Sequence, residues 1–395
     1  MEMKKMELDT KLIHGGPLTD LHTGSSSVPI YQASTFHQAQ FPESQEFTYT
    51  RFGNPTRKAL EETISCLEFA KYSYAFASGM AAISAVLLNF SQGDHVVLPK
   101  DIYGGAYQLV TEMFPRYGIE YTFVDETDLN AWKKAIKGNT KGIYIETPSN
   151  PLLTVTDIRG VVKLAKKYNL LTIIDNTFMT PIFQNPIKFG VDIVIHSATK
   201  FINGHSDVTA GLVVTNDQEI AETLFKTQKM LGSMLPPYDC WLILRGIKTM
   251  KIRMEKEVEN AVFIAKELQK HSKVKAVYYP GLENHNGREI HFSQASSGGA
   301  VLTFDLGSYE NVKDFFAHVS IPIVAVSLGG VESILSYPYT MSHAVIPEKE
   351  RFELGVTEGL VRLSCGIEDK NDLLKDLCKA LDHVKSGEYL TEKIL

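Results

Sequence analysis

Asp192-Ile193-Val194-Ile195-His196 runs directly into Ser197-Ala198-Thr199-Lys200-Phe201-Ile202-Asn203-Gly204-His205. The first five residues read as a short β-branched strand, so Lys200 stands just past a strand end with two hydroxyl side chains before it. That placement suits an amine that must react with an aldehyde. An ammonium group is no nucleophile, and such a lysine needs burial or a nearby cation to lower its pKa. Ser197 and Thr199 can donate charge-assisted hydrogen bonds to a phosphate lying beside it. On these residues alone, a solvated lysine in a turn after a strand stays an open alternative.

An imine-forming lysine next to a phosphate points to pyridoxal phosphate, and Asp175 adds weight. Leu170-Leu171-Thr172-Ile173-Ile174 is a continuous run of the kind that fills buried parallel strands, and it ends in Asp175-Asn176-Thr177. Open α/β sheets bind ligands outside the carboxyl ends of their strands, where both Asp175 and Lys200 would fall. A carboxylate beside a pyridine nitrogen keeps that nitrogen protonated and lets the ring accept electrons. The plain alternative for Asp175 is a helix cap.

The rest of the chain supplies the frame. Asn54-Pro55-Thr56 has an N-cap followed by proline, with Leu60, Ile64 and Leu67 then on one face, which predicts a helix to about Phe69. After Ser78-Gly79 an Ala-rich segment to Leu88 predicts a buried helix whose N-terminus offers free N–H groups to a phosphate. Strand-like runs recur at 95–98, 121–124, 142–146, 170–175, 192–196 and 211–214, with helical segments between them. This alternation predicts an α/β fold with a mainly parallel central sheet. Trp241 to His271 reads as one long helix leading to a smaller α+β C-terminal domain, with strands at 299–306, 322–327 and 359–365.

Taken together, several ordered motifs resemble the cystathionine lyase and synthase family, pyridoxal-phosphate enzymes of cysteine and methionine metabolism with the fold type I architecture. Besides Asp175 and the Ser197–His205 segment they are Tyr49-Thr50-Arg51 before Asn54-Pro55-Thr56, Ser78-Gly79-Met80-Ala81 and Tyr103-Gly104-Gly105. Glu146-Thr147-Pro148-Ser149-Asn150-Pro151 and Arg362-Leu363-Ser364 complete the set. The resemblance runs from about residue 10 to about residue 385.

The resemblance implies a Schiff-base role for Lys200, which would then also move the substrate's α-proton. It implies that Asp175 holds the pyridinium and that Tyr103 stacks on the ring, its neighbours Gly104 and Gly105 permitting close approach. Ser78, Gly79, Met80, Thr177, Ser197 and Thr199 would contact the cofactor, with Tyr49 and Arg51 reaching in from a neighbouring subunit. Arginine suits that task because its planar fork matches a phosphate. Arg362 would pair with the substrate α-carboxylate, helped by Asn150 and the main chain near Ser327. An arginine within the apolar run Gly359 to Leu363 needs a partner anion. The implied organisation is an N-terminal arm over 1–55 touching a neighbouring subunit, a large cofactor domain over 56–245 and a C-terminal domain over 246–395. A homo-oligomer, a tetramer as in the family, is expected.

Composition narrows the alternatives. The 395 residues are 44% apolar, with a net charge of −6, and the isoelectric point is near 6.1. That gives no basic footprint for nucleic acid or an anionic membrane. Met1 to Leu12 lacks the apolar core of a secretory signal and no later run approaches a membrane span, so a cytoplasmic protein is expected. Cys66, Cys240, Cys365 and Cys378 lack metal or disulfide spacing and are expected as reduced thiols. His285, Glu289 and His291 have a loosely metal-like spacing, but their Gly/Asn-rich surroundings predict a solvated loop and no metal.

The leading reading is a carbon–sulfur lyase acting on a sulfur amino acid, with cystathionine β-cleavage foremost. γ-Lyases and γ-replacement synthases of the same cofactor class are the alternatives. A nucleotide-binding oxidoreductase lacks its G-x-G-x-x-G or P-loop here, and a non-catalytic homologue would not be expected to keep Lys200, Asp175, Tyr103 and Arg362 together. Cystathionine γ-lyases usually carry an arginine five residues after the stacking tyrosine and a glutamate before the Ser-Leu-Gly segment, where this chain has Gln108 and Val326. Methionine γ-lyases typically carry a cysteine at the position of Gly105. Ser333-Ile334-Leu335-Ser336-Tyr337-Pro338 looks closest to bacterial β-lyases.

Overall fold

The computed structural model describes residues 6–17 and 19–385; the outermost residues of the expected N-terminal arm and C-terminal domain, and residue 18, lie outside the described residues. Seven strands form the larger sheet: β1 (Tyr72–Phe76), β2 (His95–Pro99), β3 (Glu120–Val124), β4 (Thr140–Glu146), β5 (Leu171–Asp175), β6 (Ile193–Ser197) and β7 (Gly211–Thr215). Their order is β1-β7-β6-β5-β4-β2-β3. β2 to β6 are parallel, and only β7 opposes its neighbours. The carboxyl ends of β4, β5 and β6 therefore leave the sheet at one edge, carrying Glu146, Asp175 and Ser197.

Side-chain alternation decides what each strand end faces. Ile145, Ile174 and Val194 pack into one buried cluster with Leu60, Ile64 and Leu67 of the helix Pro55–Glu68. Tyr144, Ile173 and Ile195 pack into the opposite cluster with Ile83 and Val86 of the helix Gly79–Leu87. Because residues two apart share a face, Glu146, Asp175 and Ser197 lie on the Gly79–Leu87 side. His196 points to the other side and meets Glu68 at 2.5 Å, both fully buried.

The helices start where the capping residues dictate. Asn54 Oδ1 accepts from the N–H groups of Thr56 and Arg57, and Pro55 occupies the first helical position. Ser78 Oγ accepts the Ala81 N–H at 3.0 Å and starts the next buried helix. A second sheet has the order β10-β11-β12-β9-β8, from β8 (Ala276–Tyr278), β9 (Val301–Asp305), β10 (Ile323–Val324), β11 (Ile334–Ser336) and β12 (Leu360–Ser364). Its core includes Leu302, Phe304, Phe315, Leu335 and Leu363.

Three expectations need correction. The helix read over Trp241–His271 is two helices, Pro237–Ile247 and Met250–Lys270. At the break the Thr249 N–H turns back to the Gly246 carbonyl at 3.2 Å, and the Arg253 guanidinium donates to that same carbonyl and to the Phe201 carbonyl, each at 3.0 Å. The strand read over 322–327 shrinks to Ile323–Val324, because Ser327 adopts φ 95° and turns the chain away. β11, absent from the reading, carries the pairing with β12 instead. His291 is not in a solvated loop: it is buried on the helix Arg288–Gln294 with a ring nitrogen 2.6 Å from the Ser297 carbonyl, while His285 does lie in a loop, half-buried, with a ring nitrogen 2.9 Å from the Leu153 carbonyl. Among the described residues no group of three or more His, Cys, Asp or Glu side chains is placed to hold a metal ion, and no helix is long and apolar enough to cross a membrane.

Candidate active site

Lys200 follows β6 in a tight turn, its N–H donating to the Ser197 carbonyl at 3.2 Å. The side chain passes inward, and Nζ meets the Ser327 hydroxyl at 2.6 Å. Burial, and then the Arg362 charge, lower this amine to about 8. Roughly a tenth is therefore neutral at pH 7, far more than for a free lysine, and this is the form a nucleophilic amine needs.

Arg362 sits in the middle of the second sheet on β12, opposite Ser336 and Thr303. The guanidinium is buried and held by three acceptors: Asn150 Oδ1 at 2.8 Å, the Ser327 carbonyl at 2.7 Å and Ser336 Oγ at 3.0 Å. All three are neutral, and its Nε has no partner. A buried guanidinium without a counter-ion is a site for an anion. Ser327 thus links the two sheets, bonding Lys200 through its side chain and Arg362 through its carbonyl.

Asp175 closes β5 with Oδ1 accepting from the Thr177 N–H at 3.0 Å and the Thr177 hydroxyl at 2.5 Å. Thr177 also accepts the Ser197 N–H at 2.8 Å, tying the ends of β5 and β6 together. Burial raises the Asp175 carboxyl while these hydrogen bonds oppose the rise. Tyr103 is 40% exposed, the open side of an otherwise packed ring. Its N–H donates to Glu146 Oε2 at 3.0 Å. A Cβ on Gly105 would stand 2.6 Å from both the Tyr103 ring and Met80 Sδ, so glycine is required for the ring to lie where it does.

The end of the helix Gly79–Leu87 abuts the same place. A Cβ on Gly79 would fall 2.9 Å from the Ser197 Cβ and Oγ, so only glycine lets this helix N-terminus reach the end of β6. Ser78 takes the Ala81 N–H on its hydroxyl and the Ala82 N–H on its carbonyl, so those of Gly79 and Met80 have no helical acceptor. The Thr199 hydroxyl accepts the Ala210 N–H at 2.9 Å and touches the Ala210 carbonyl at 3.3 Å, a long contact that leaves its proton weakly committed.

Lys200, Asp175, Thr177, Ser197, Thr199, Ser78, Gly79, Met80, Tyr103, Asn150, Ser327 and Arg362 thus gather around one space. Tyr49 and Arg51 do not join it within this chain. Arg51 instead donates to the Lys229 carbonyl at 3.1 Å, with its guanidinium 4.7 Å from the Phe52 ring. They belong to an irregular segment that leaves Leu21 97% and Phe41 84% exposed. Sequence reasoning did not single out the buried acids behind the site. Asp101 accepts from Ser149 Oγ at 2.5 Å and supports the 147–151 turn, and Glu146 holds Tyr103. Glu146 lies within a quoted motif, and its place at the end of an apolar strand beside that of Asp175 was the available signal.

A sequence profile described as Cys/Met metabolism PLP-dependent enzyme matches residues 9–382. Cystathionine beta-lyase MetC of Bacillus subtilis is 54% identical over 384 residues, covering 97% of this chain and 98% of that protein. Cystathionine gamma-lyase of the same organism is 49% identical over 379 residues, covering 96% of this chain and 100% of that protein. The crystal structure of cystathionine gamma-lyase from Lactobacillus plantarum complexed with L-serine superposes with a TM-score of 0.93 at 42% identity, covering 96% of this chain and 99% of that one.

Proposed function

Since this chain belongs to the Cys/Met metabolism PLP-dependent enzymes, we propose that it splits cystathionine at the β-carbon, releasing homocysteine, pyruvate and ammonia. The cofactor of the family is pyridoxal phosphate, and the residues present fit it. The helix N-terminus at Gly79 and the Ser197 hydroxyl offer phosphate donors, Asp175 offers an anion for the ring nitrogen, and Lys200 offers an amine of lowered basicity. When bound, pyridoxal phosphate supplies the sink for the electron pair left at the substrate's α-carbon.

The chain's own groups do the rest. Arg362 takes the substrate α-carboxylate in a fork, with Asn150 and Ser327 already fixing its plane. Tyr103 would cover one face of the cofactor ring, and Asp175 would keep the ring nitrogen protonated. Lys200 would hold the cofactor through its amine, and the same Nζ, beside the Ser327 hydroxyl, would take the substrate's α-proton. The thiolate on the β-carbon would then depart with the bonding electrons and be protonated to homocysteine, and the three-carbon amino fragment left behind would take up one water to give pyruvate and ammonia. Elimination at the γ-carbon needs a further deprotonation at the β-carbon, so β-cleavage is the shorter path on this machinery.

The observation that carries the reading is Ser327, whose hydroxyl meets the Lys200 amine and whose carbonyl meets the Arg362 guanidinium. It sets the proton-moving amine beside the carboxylate anchor. β-Cleavage is favoured by the 54% identity with the Bacillus subtilis β-lyase and by Val326, an apolar residue 66% exposed where γ-lyases of the cystathionine type have glutamate. A cystathionine γ-lyase is the second reading, favoured by the 49% identity with that enzyme of the same organism. We also place the protein in the cytoplasm as a homotetramer, with Tyr49 and Arg51 completing the phosphate site of a neighbouring subunit; the exposed arm supports that arrangement. Borohydride reduction followed by peptide mass mapping tests the assignment. Cofactor mass on Lys200 is expected, and cofactor mass on another lysine, or on none, contradicts it.

A further inference from the structure

Glu146 and Asp175 are paired in register at the ends of the neighbouring parallel strands β4 and β5. Their side chains therefore leave the same face of the sheet side by side. Both are buried, with 6% and 9% relative exposure. Among the described residues no lysine, arginine or histidine forms an ion pair with Glu146. The titratable groups that face it are Asp175, Asp101, Tyr103 and Tyr144.

Two adjacent carboxyls away from water do not both ionise. The hydrogen bonds decide which one keeps the proton. Asp175 Oδ1 accepts two donors from Thr177, one of them a hydroxyl, and the Tyr144 side chain adds a third, whereas Glu146 has only backbone donors, the N–H of Tyr103 on Oε2 and that of Asn150. Asp175 is therefore the better-solvated anion. Burial and then the Asp175 charge push the Glu146 carboxyl well above its usual range.

We propose that Glu146 is a positioning residue that works as a neutral carboxylic acid: one oxygen fixes the Tyr103 backbone, the other carries a proton, and Asp175 is left as the single anion of the pair. This inference rests on the roles proposed above for Asp175 and Tyr103. A neutral acid presents an acceptor oxygen on one side and a donor on the other, and so does the amide of glutamine, whose NH2 stands in for the O–H. An ionised carboxylate has acceptors alone.

The test compares the wild-type, E146Q and E146A holoenzymes. At neutral pH the wild type is expected to show the infrared C=O stretch of a protonated carboxyl that E146Q lacks. E146A strips the Tyr103 N–H of its acceptor and is expected to lower kcat/KM roughly tenfold or more, with an altered visible circular dichroism of the bound cofactor. E146Q is expected to melt with the wild type and to rescue both the dichroism and most of the lost kcat/KM. An E146Q enzyme that fails to fold, or that is as impaired as E146A while wild type carries cofactor on Lys200, would overturn this inference alone. A wild type without cofactor on Lys200 would overturn the underlying reading and this inference with it.

Discussion

Lys200 Nζ lies 2.6 Å from the hydroxyl of Ser327, a residue 127 positions away in sequence that reaches it from the second sheet. Ser327 holds φ 95°, a conformation costly for a residue with a Cβ. The strained turn brings its side chain to the amine and its carbonyl to Arg362. Replacing Ser327 with alanine is expected to leave the backbone in place while freeing the amine. A loss of roughly 5- to 30-fold in kcat with little change in KM, the worth of one hydrogen bond to a charged or reacting group, is the outcome to look for in steady-state kinetics.

Lys200 titrates near 8 because it is buried and because Arg362 is near. Its value in the fold lies below that of a free lysine, so folding disfavours the charged form. That penalty is fully present below about pH 8 and fades as the pH rises toward the ordinary lysine range. Arg362→Gln removes the second cause and should raise the value. Reaction of the cofactor-free protein with an amine reagent, followed against pH by peptide mapping, should show the Lys200 midpoint moving upward in the variant; an unmoved or lowered midpoint contradicts the coupling.

The same substitution removes the anchor for the substrate carboxylate. Truncating one partner of a buried charged hydrogen-bonded pair costs about 2–5 kcal/mol, so Arg362→Gln should lower kcat/KM by at least roughly 30-fold, mostly through KM. Tight retention of substrate in the variant would place the carboxylate elsewhere.

Arg51 turns to the Lys229 carbonyl within its own chain. If its task is the phosphate of a neighbouring subunit, Arg51→Ala and Lys200→Ala proteins should each be nearly inactive and regain activity when mixed into hybrids. Hybrids shown by mass spectrometry to form and yet remaining inactive contradict a shared site.

Glu257 is fully buried on the helix Met250–Lys270, with neither carboxyl oxygen hydrogen-bonded and Arg253 at 4.0 Å. Burial raises it to about 8. The carboxyl therefore takes up a proton on folding, and stability present below the ordinary glutamate range is lost as the pH rises through about 8. Glu257→Gln should stabilise the protein by the order of 1–3 kcal/mol at pH 8 and by little near pH 4.5, checked by denaturant unfolding at the two pH values.

Much of this was legible in the sequence because strand ends carry the chemistry. The apolar run before Asp175 and the β-branched run before Ser197 fixed two neighbouring parallel strands, and period-two alternation put both residues on one face. What stayed hidden depends on contacts between distant segments. Arg253 reaches back across the break after Ile247 to the Gly246 carbonyl, a contact the local pattern does not announce. Ser327 reads as a strand residue until Arg362 and Lys200 are seen to pull on it from both sides. His291 looked exposed beside glycine and asparagine, yet the Ser297 carbonyl and surrounding apolar residues bury it completely. Glu146 drew attention only as part of a motif, since its pairing with Asp175 is a matter of register.

The most direct test is the identity of the keto acid released from pure cystathionine by the purified holoenzyme, assayed beside methionine and a cysteine thioether. Pyruvate and homocysteine in equal amounts are the expected products. Dominant 2-oxobutyrate with cysteine would contradict β-cleavage and make the protein a γ-lyase, while condensation of an activated homoserine with a thiol, without keto acid from any of the three, would make it a synthase.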